Sequence, residues 1–194
     1  MSRIACLGWG SLIWRPKDLS IVLPWLEDGP EIHLGLVRES RESKCLTLVL
    51  HGTGARVRSL WAELKYGALD AAARALRARE GCASRDIGLW TKGNDDPLLI
   101  AGLSRWAAQR QIDAVVWTAL SPRHDDQQGI SPTLEQALTY LRGLPDDKRR
   151  DAEAYIRYAP IQVDTPPYRR RIAEEFGWTP LVPPATGEET PGSR

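Results

Sequence analysis

Two places in the chain hold residues able to do chemistry. The first is Gly8-Trp9-Gly10-Ser11-Leu12-Ile13-Trp14, reached directly from the apolar run of residues 3–7. Glycines one residue apart permit a tight turn of positive φ, and the amides of such a turn converge into a small anion-binding nest. Ser11 adds a hydroxyl, while Trp9 and Trp14 supply aromatic walls that a purely structural turn does not need. The second place is Glu80, at the end of an alanine-rich run that Gly81 closes. At about 100° per residue, Leu69, Ala73, Leu76 and Glu80 fall on one apolar stripe, with Arg74, Arg77 and Arg79 directed elsewhere. Burial and the negative end of the helix dipole both act against a charged carboxylate there. A general acid or base working near neutrality uses that bias. The plainer reading is that Glu80 snorkels to the surface or pairs with Arg77 or Arg79.

The elements that must position these groups read as follows. Residues 3–7 are a buried strand, residues 31–38 alternate, and 45–51 form a β-branched run. Gly52-Thr53-Gly54 turns the chain into a strand over 57–66, and further strands cover 85–91 and 113–120. Helices are expected over 69–80, with Gly81 just past the end, and over 97–111. Ser131 and Pro132 form an N-cap and N1 pair for a helix to about residue 142. Residues 146–158 and 167–176 complete a helical C-terminal third. The fold class is α+β, a mixed, mainly antiparallel, barrel-like sheet with inserted helices. Residues 1–180 are expected as one domain, and 181–194, rich in Pro, Gly, Thr and Glu, as a disordered tail.

Composition narrows the class of function. The chain has 194 residues and a formal net charge of +1, with no basic stripe interleaved with aromatics, so nucleic acid is not the expected partner. No run approaches the roughly 20 apolar residues of a membrane helix. Cys6, Cys45 and Cys82 are odd in number and form no CxxC pair, which suits a reduced, cytoplasmic setting. His33, His51 and His124 lack metal-ligand spacing, and the segment His124-Asp125-Asp126 reads as a solvated loop. Ser11 lacks the G-x-S-x-G elbow of serine hydrolases, and Cys82 reads as a filler without a nearby histidine.

The two motifs together resemble a known family. Leu7-Gly8-Trp9-Gly10-Ser11-Leu12-Ile13-Trp14-Arg15-Pro16 is similar to the F-G-Y-G-S-L-I-W-x-P signature of the γ-glutamylcyclotransferase superfamily, above all its ChaC-type, glutathione-degrading branch. The run from Leu69 to Gly81 resembles the family helix that carries a glutamate, and Cys45-Leu46-Thr47-Leu48-Val49 resembles the intervening strand pair. The likeness covers about residues 3–120. It implies the family fold and, with no metal or organic cofactor, cyclisation of a γ-glutamyl unit to 5-oxoproline with release of the amine part. The implied substrate is glutathione or another γ-glutamyl amide. It also implies Glu80 as catalytic acid/base and Gly8, Trp9, Gly10, Ser11, Leu12 and Ile13 as the substrate-binding loop. Trp9 stands where the family has tyrosine, and Tyr140, Tyr155 and Tyr158 compete for the place of a pocket tyrosine. Two alternatives stay open: a non-catalytic small-molecule-binding module on the same fold, and a nucleotide site built on Gly8-x-Gly10 with Glu39 as ribose acid. The C-terminal helices could cap the pocket, form a homodimer or complete the core.

Overall fold

The computed structural model describes residues 2–40, 44–163 and 167–182. Most of the expected tail, residues 183–194, therefore lies outside the described residues. The fold is α+β, with two sheets and a helical C-terminal part, as the periodicity predicts. The first sheet runs in the order β2 (Ile21–Leu26), β6 (Leu60–Leu64), β1 (Ile4–Gly8), β9 (Ala114–Thr118), β7 (Ile87–Thr91), and only the β1–β9 pair is parallel. The second is organised on the long strand β3 (Glu31–Glu39). Antiparallel to it lie β4 (Leu46–Leu50), β5 (Ala55–Arg58) and β8 (Ile100–Ala101). Strand β10 (Arg123–His124) joins β3 in parallel and pairs with β11 (Gln127–Gln128).

Strand β1 is buried on both faces, which its unbroken apolar sequence requires. Its alternation sends Ile4 and Cys6 to one cluster and Ala5 and Leu7 to another. The first cluster is roofed by α1 (Leu69–Glu80), whose Ala72 and Leu76 are fully buried. Sealing the Leu76 side chain contributes about 1.5–3 kcal/mol. The second cluster fills the space toward β3, α2 (Leu103–Gln109), α3 (Leu134–Arg142), α4 (Asp146–Tyr158) and α5 (Tyr168–Phe176).

Topology then places Glu80. Strand β6 is antiparallel to β1, with Leu64 opposite Ile4, so the chain leaves β6 beside the start of β1. A twelve-residue helix rises about 18 Å and a five-residue strand about 17 Å. Helix α1, running back along β1, thus delivers its last turn to the end of β1, where the glycine turn begins.

Several expected boundaries change. The strand over 57–66 is two strands in different sheets, because Ser59, fully buried, turns the chain by bonding the Pro30 carbonyl through both its amide and its hydroxyl. The helix over 97–111 shortens to α2: Ile100 and Ala101 pair with β3, and Gly102, at φ +68°, starts the helix. The cap of α3 is Thr133, in a reciprocal capping box with Gln136, not Ser131. Ser131 instead lies 2.8 Å from His51 Nε2. The Asp125-Asp126 loop is the positive-φ turn between β10 and β11. Among the described residues no helix is long and apolar enough to cross a membrane.

Candidate active site

A cavity of about 670 Å³ opens where β1 ends, and both sequence motifs reach it. Gly8, Trp9, Gly10, Ser11 and Leu12 line one side, Trp14 stands beside them, and Glu80 lines another. The volume falls in the range of small-molecule sites. The chain makes the turn by helical-type bonds, from the Ile13 amide to the Gly10 carbonyl (2.9 Å) and from the Arg15 amide to the Ser11 carbonyl (2.8 Å). Among the described residues, the amides of Gly10, Ser11 and Leu12 have no hydrogen-bond partner. These three are the donors that the turn leaves unused beside the cavity. Ile13 is not on the cavity wall: its amide closes the turn, and its side chain is buried against Gly8.

The reason for the glycines differs from the expected one. Neither Gly8 nor Gly10 has a positive φ. Both are sites of close approach. A Cβ on Gly8 would lie 2.7 Å from Ile13 Cδ1 and from the Trp25 ring, and one on Gly10 would lie 2.5 Å from Tyr155 Oη. That contact sets Tyr155 against the glycine turn. Tyr155 and Tyr158 line the cavity, each edge-on to Trp14 at 5.7 and 6.1 Å, whereas Tyr140 does not line it. The Tyr155 hydroxyl accepts the Leu48 amide (3.2 Å), and burial pushes it well above the usual phenol range. The sequence signal for this contact is limited to Tyr155 and Tyr158 standing one turn apart near the end of α4.

Glu80 faces the cavity with its side chain 14% exposed, and Arg79 lies beside it, 6% exposed. Arg79 Nη1 donates to Glu80 Oε1 at 2.7 Å. The same guanidinium donates to Ser11 Oγ (3.2 Å) and twice to the Arg15 carbonyl (3.1 and 2.6 Å). The helical wheel directs Arg79 away from this site, and the structure corrects that. Its long side chain folds around the last turn of α1 to reach the loop. Glu80 Oε2 accepts no hydrogen bond among the described residues.

Charge of both signs lines the cavity among the described residues, with Arg15, Lys17, Arg38, Arg79 and Arg123 on the one hand and Glu80, Asp86 and Asp151 on the other. Cys82 also lines it, its thiol pushed up to about 11 by burial and then by Glu80 and Asp86. Beneath, Cys6 is buried and its thiol is raised further, again first by burial. Glu39 is occupied elsewhere, with Oε1 2.6 Å from His124 Nδ1 and Oε2 accepting the Asp125 amide. A ribose hydroxyl would have to displace both. Compared with protein-family models, curated proteins and solved structures, the chain matches none.

Proposed function

We propose that the chain is a γ-glutamylcyclotransferase-type enzyme, cyclising the γ-glutamyl unit of glutathione or another γ-glutamyl amide to 5-oxoproline. The observation that carries this reading is that one cavity is lined both by the largely buried Glu80 and by the glycine loop, three of whose amides are unbonded. The reaction asks for little else. The substrate α-amine attacks its own γ-carbonyl carbon, a C–N bond closes the five-membered ring, and the original amide C–N bond breaks. The proton that the amine loses passes to Glu80 Oε2, the oxygen Arg79 leaves open, and then to the departing nitrogen.

The amides of Gly10, Ser11 and Leu12 are suited to a carboxylate or to the oxygen that gains charge in the tetrahedral intermediate. The Tyr155 hydroxyl, which accepts from Leu48, keeps its own proton to donate beside them. Trp9 and Trp14 hold the carbon chain folded, and enforcing that near-attack ring supplies much of the acceleration.

The test is incubation of the pure protein with glutathione and a panel of γ-glutamyl amino acids, reading 5-oxoproline by mass spectrometry. Product with at least one member supports the reading. A melting shift with these ligands and no product from any would replace it with the second reading, a binding module. The Arg79–Glu80 ion pair favours that second reading, because it gives the glutamate a structural task without chemistry.

A further inference from the structure

Arg79 stands between the two halves of the site, and every assigned role so far belongs to its neighbours. Its guanidinium spends four N–H donor contacts within the protein: two on the Arg15 carbonyl, one on Ser11 Oγ and one on Glu80 Oε1. It is the side chain that bonds both the loop and the glutamate. Successive helical residues point about 100° apart, so Arg79 reaches Glu80 through the length of its side chain, at the last turn before Gly81 (φ +62°) ends the helix. With its side chain 6% exposed, the guanidinium is shut away from water and held by good geometry rather than by a loose surface pairing.

We propose that Arg79 is a positioning residue: it fixes the glycine turn against the end of α1, and by binding one oxygen of Glu80 it dictates that the other meets the substrate. The proposal rests on the functional reading above. Two consequences follow from the fork shape of the group. First, charge alone does not replace it. Lysine brings a compact ammonium that cannot reach the Arg15 carbonyl, Ser11 and Glu80 at once from one site. Second, the lost quantity is orientation, so the chemical step suffers more than substrate binding does. A misplacement of about 1 Å in such a site costs about 100-fold in rate.

The experiment compares Arg79→Lys, Arg79→Met and Arg79→Ala with wild type in steady-state 5-oxoproline assays, with circular dichroism to establish folding. Both Arg79→Lys and Arg79→Met are expected to lose about 100-fold in kcat with KM within about threefold of wild type. Arg79→Ala is expected to regain turnover with added guanidinium ion and not with ammonium ion, which a merely structural loss would not do. In parallel, hydrogen exchange of the amides of residues 8–15 is expected to accelerate in Arg79→Met while the amides of β9 stay as protected as before.

Full activity in Arg79→Lys overturns the proposal, as does a rise in KM at unchanged kcat. Unchanged exchange of residues 8–15 overturns the clamp. Wild type that makes no 5-oxoproline from any γ-glutamyl substrate overturns the functional reading and the catalytic sense of the proposal, while the exchange measurement still decides whether Arg79 holds the loop. Should Arg79→Met not fold, Arg79→Lys carries both the kinetic and the exchange arms.

Discussion

The contact between Gly10 and Tyr155 ties the loop to the C-terminal helices, and it can be broken from either side. In Gly10→Ala the new methyl would sit 2.5 Å from Tyr155 Oη and 3.3 Å from Cζ. The hydroxyl must withdraw by about half an ångström to reach even 3.0 Å, the limit for real contacts of this kind. It is not a free end, because it holds the Leu48 amide at 3.2 Å. Overpacking of this sort costs about 1–3 kcal/mol. The φ of Gly10 lies outside the left-handed region, so alanine suffers no backbone strain and gains about 0.4–1 kcal/mol through the unfolded chain. The net expectation is a loss of about 1–2 kcal/mol, or about 2–8 °C in melting temperature for a chain of this size. Tyr155→Phe alone removes one hydrogen bond and costs about 1 kcal/mol.

In the double variant the obstructing oxygen is gone. Its stability should fall within about 0.5 kcal/mol of Tyr155→Phe, giving a coupling of more than about 0.5 kcal/mol. Urea unfolding followed by circular dichroism on the four proteins measures this cycle. Additive losses, within about 0.5 kcal/mol, would refute the claim that Gly10 is glycine to admit Tyr155.

Two further outcomes test other parts of the account. Gly88→Ala should lose about 3 kcal/mol or more, because its Cβ would fall 2.0 Å from Cε2 of the buried Trp117, its cross-strand partner; Gly67→Ala, with nothing within 4 Å, should stay within about 0.5 kcal/mol of wild type. Equal melting temperatures for the two would contradict this packing. Cys82, its thiol held near 11 by burial and by Glu80 and Asp86, is protonated at neutral pH, so its alkylation by iodoacetamide should quicken about tenfold per unit from pH 7 to 9. A rate that levels off within that interval would contradict the environment described.

What the sequence discloses is what local pattern determines. The unbroken apolar run of β1, the periodic stripe on α1 and the glycine that ends it are all local signals, and together they bring Glu80 to the glycine turn. Tertiary contacts decide the remainder. Strand β2 gives no strand signal because Pro24 breaks its pattern; at a sheet edge, proline withdraws a donor that has no ladder to serve. Ser59 divides one apparent strand into two through bonds to Pro30, far away in sequence. A helical wheel follows Cβ directions, and the reach of an arginine side chain escapes it, so the wheel turns Arg79 away while the plainer pairing with Glu80 brings it in. The glycine turn is legible in the sequence, yet its cause is not: Tyr155, which forbids a side chain at Gly10, enters from α4.

The central claim is that one carboxyl group, held at the end of α1 and open to the cavity, moves the proton. Production of 5-oxoproline by wild type and by Glu80→Gln, a change that keeps an oxygen for Arg79 and removes the proton-carrying site, tests it most directly. The account predicts product from wild type and a fall of about 10²–10⁴-fold in the variant with its fold intact. A folded Glu80→Gln protein turning over at the wild-type rate would contradict it.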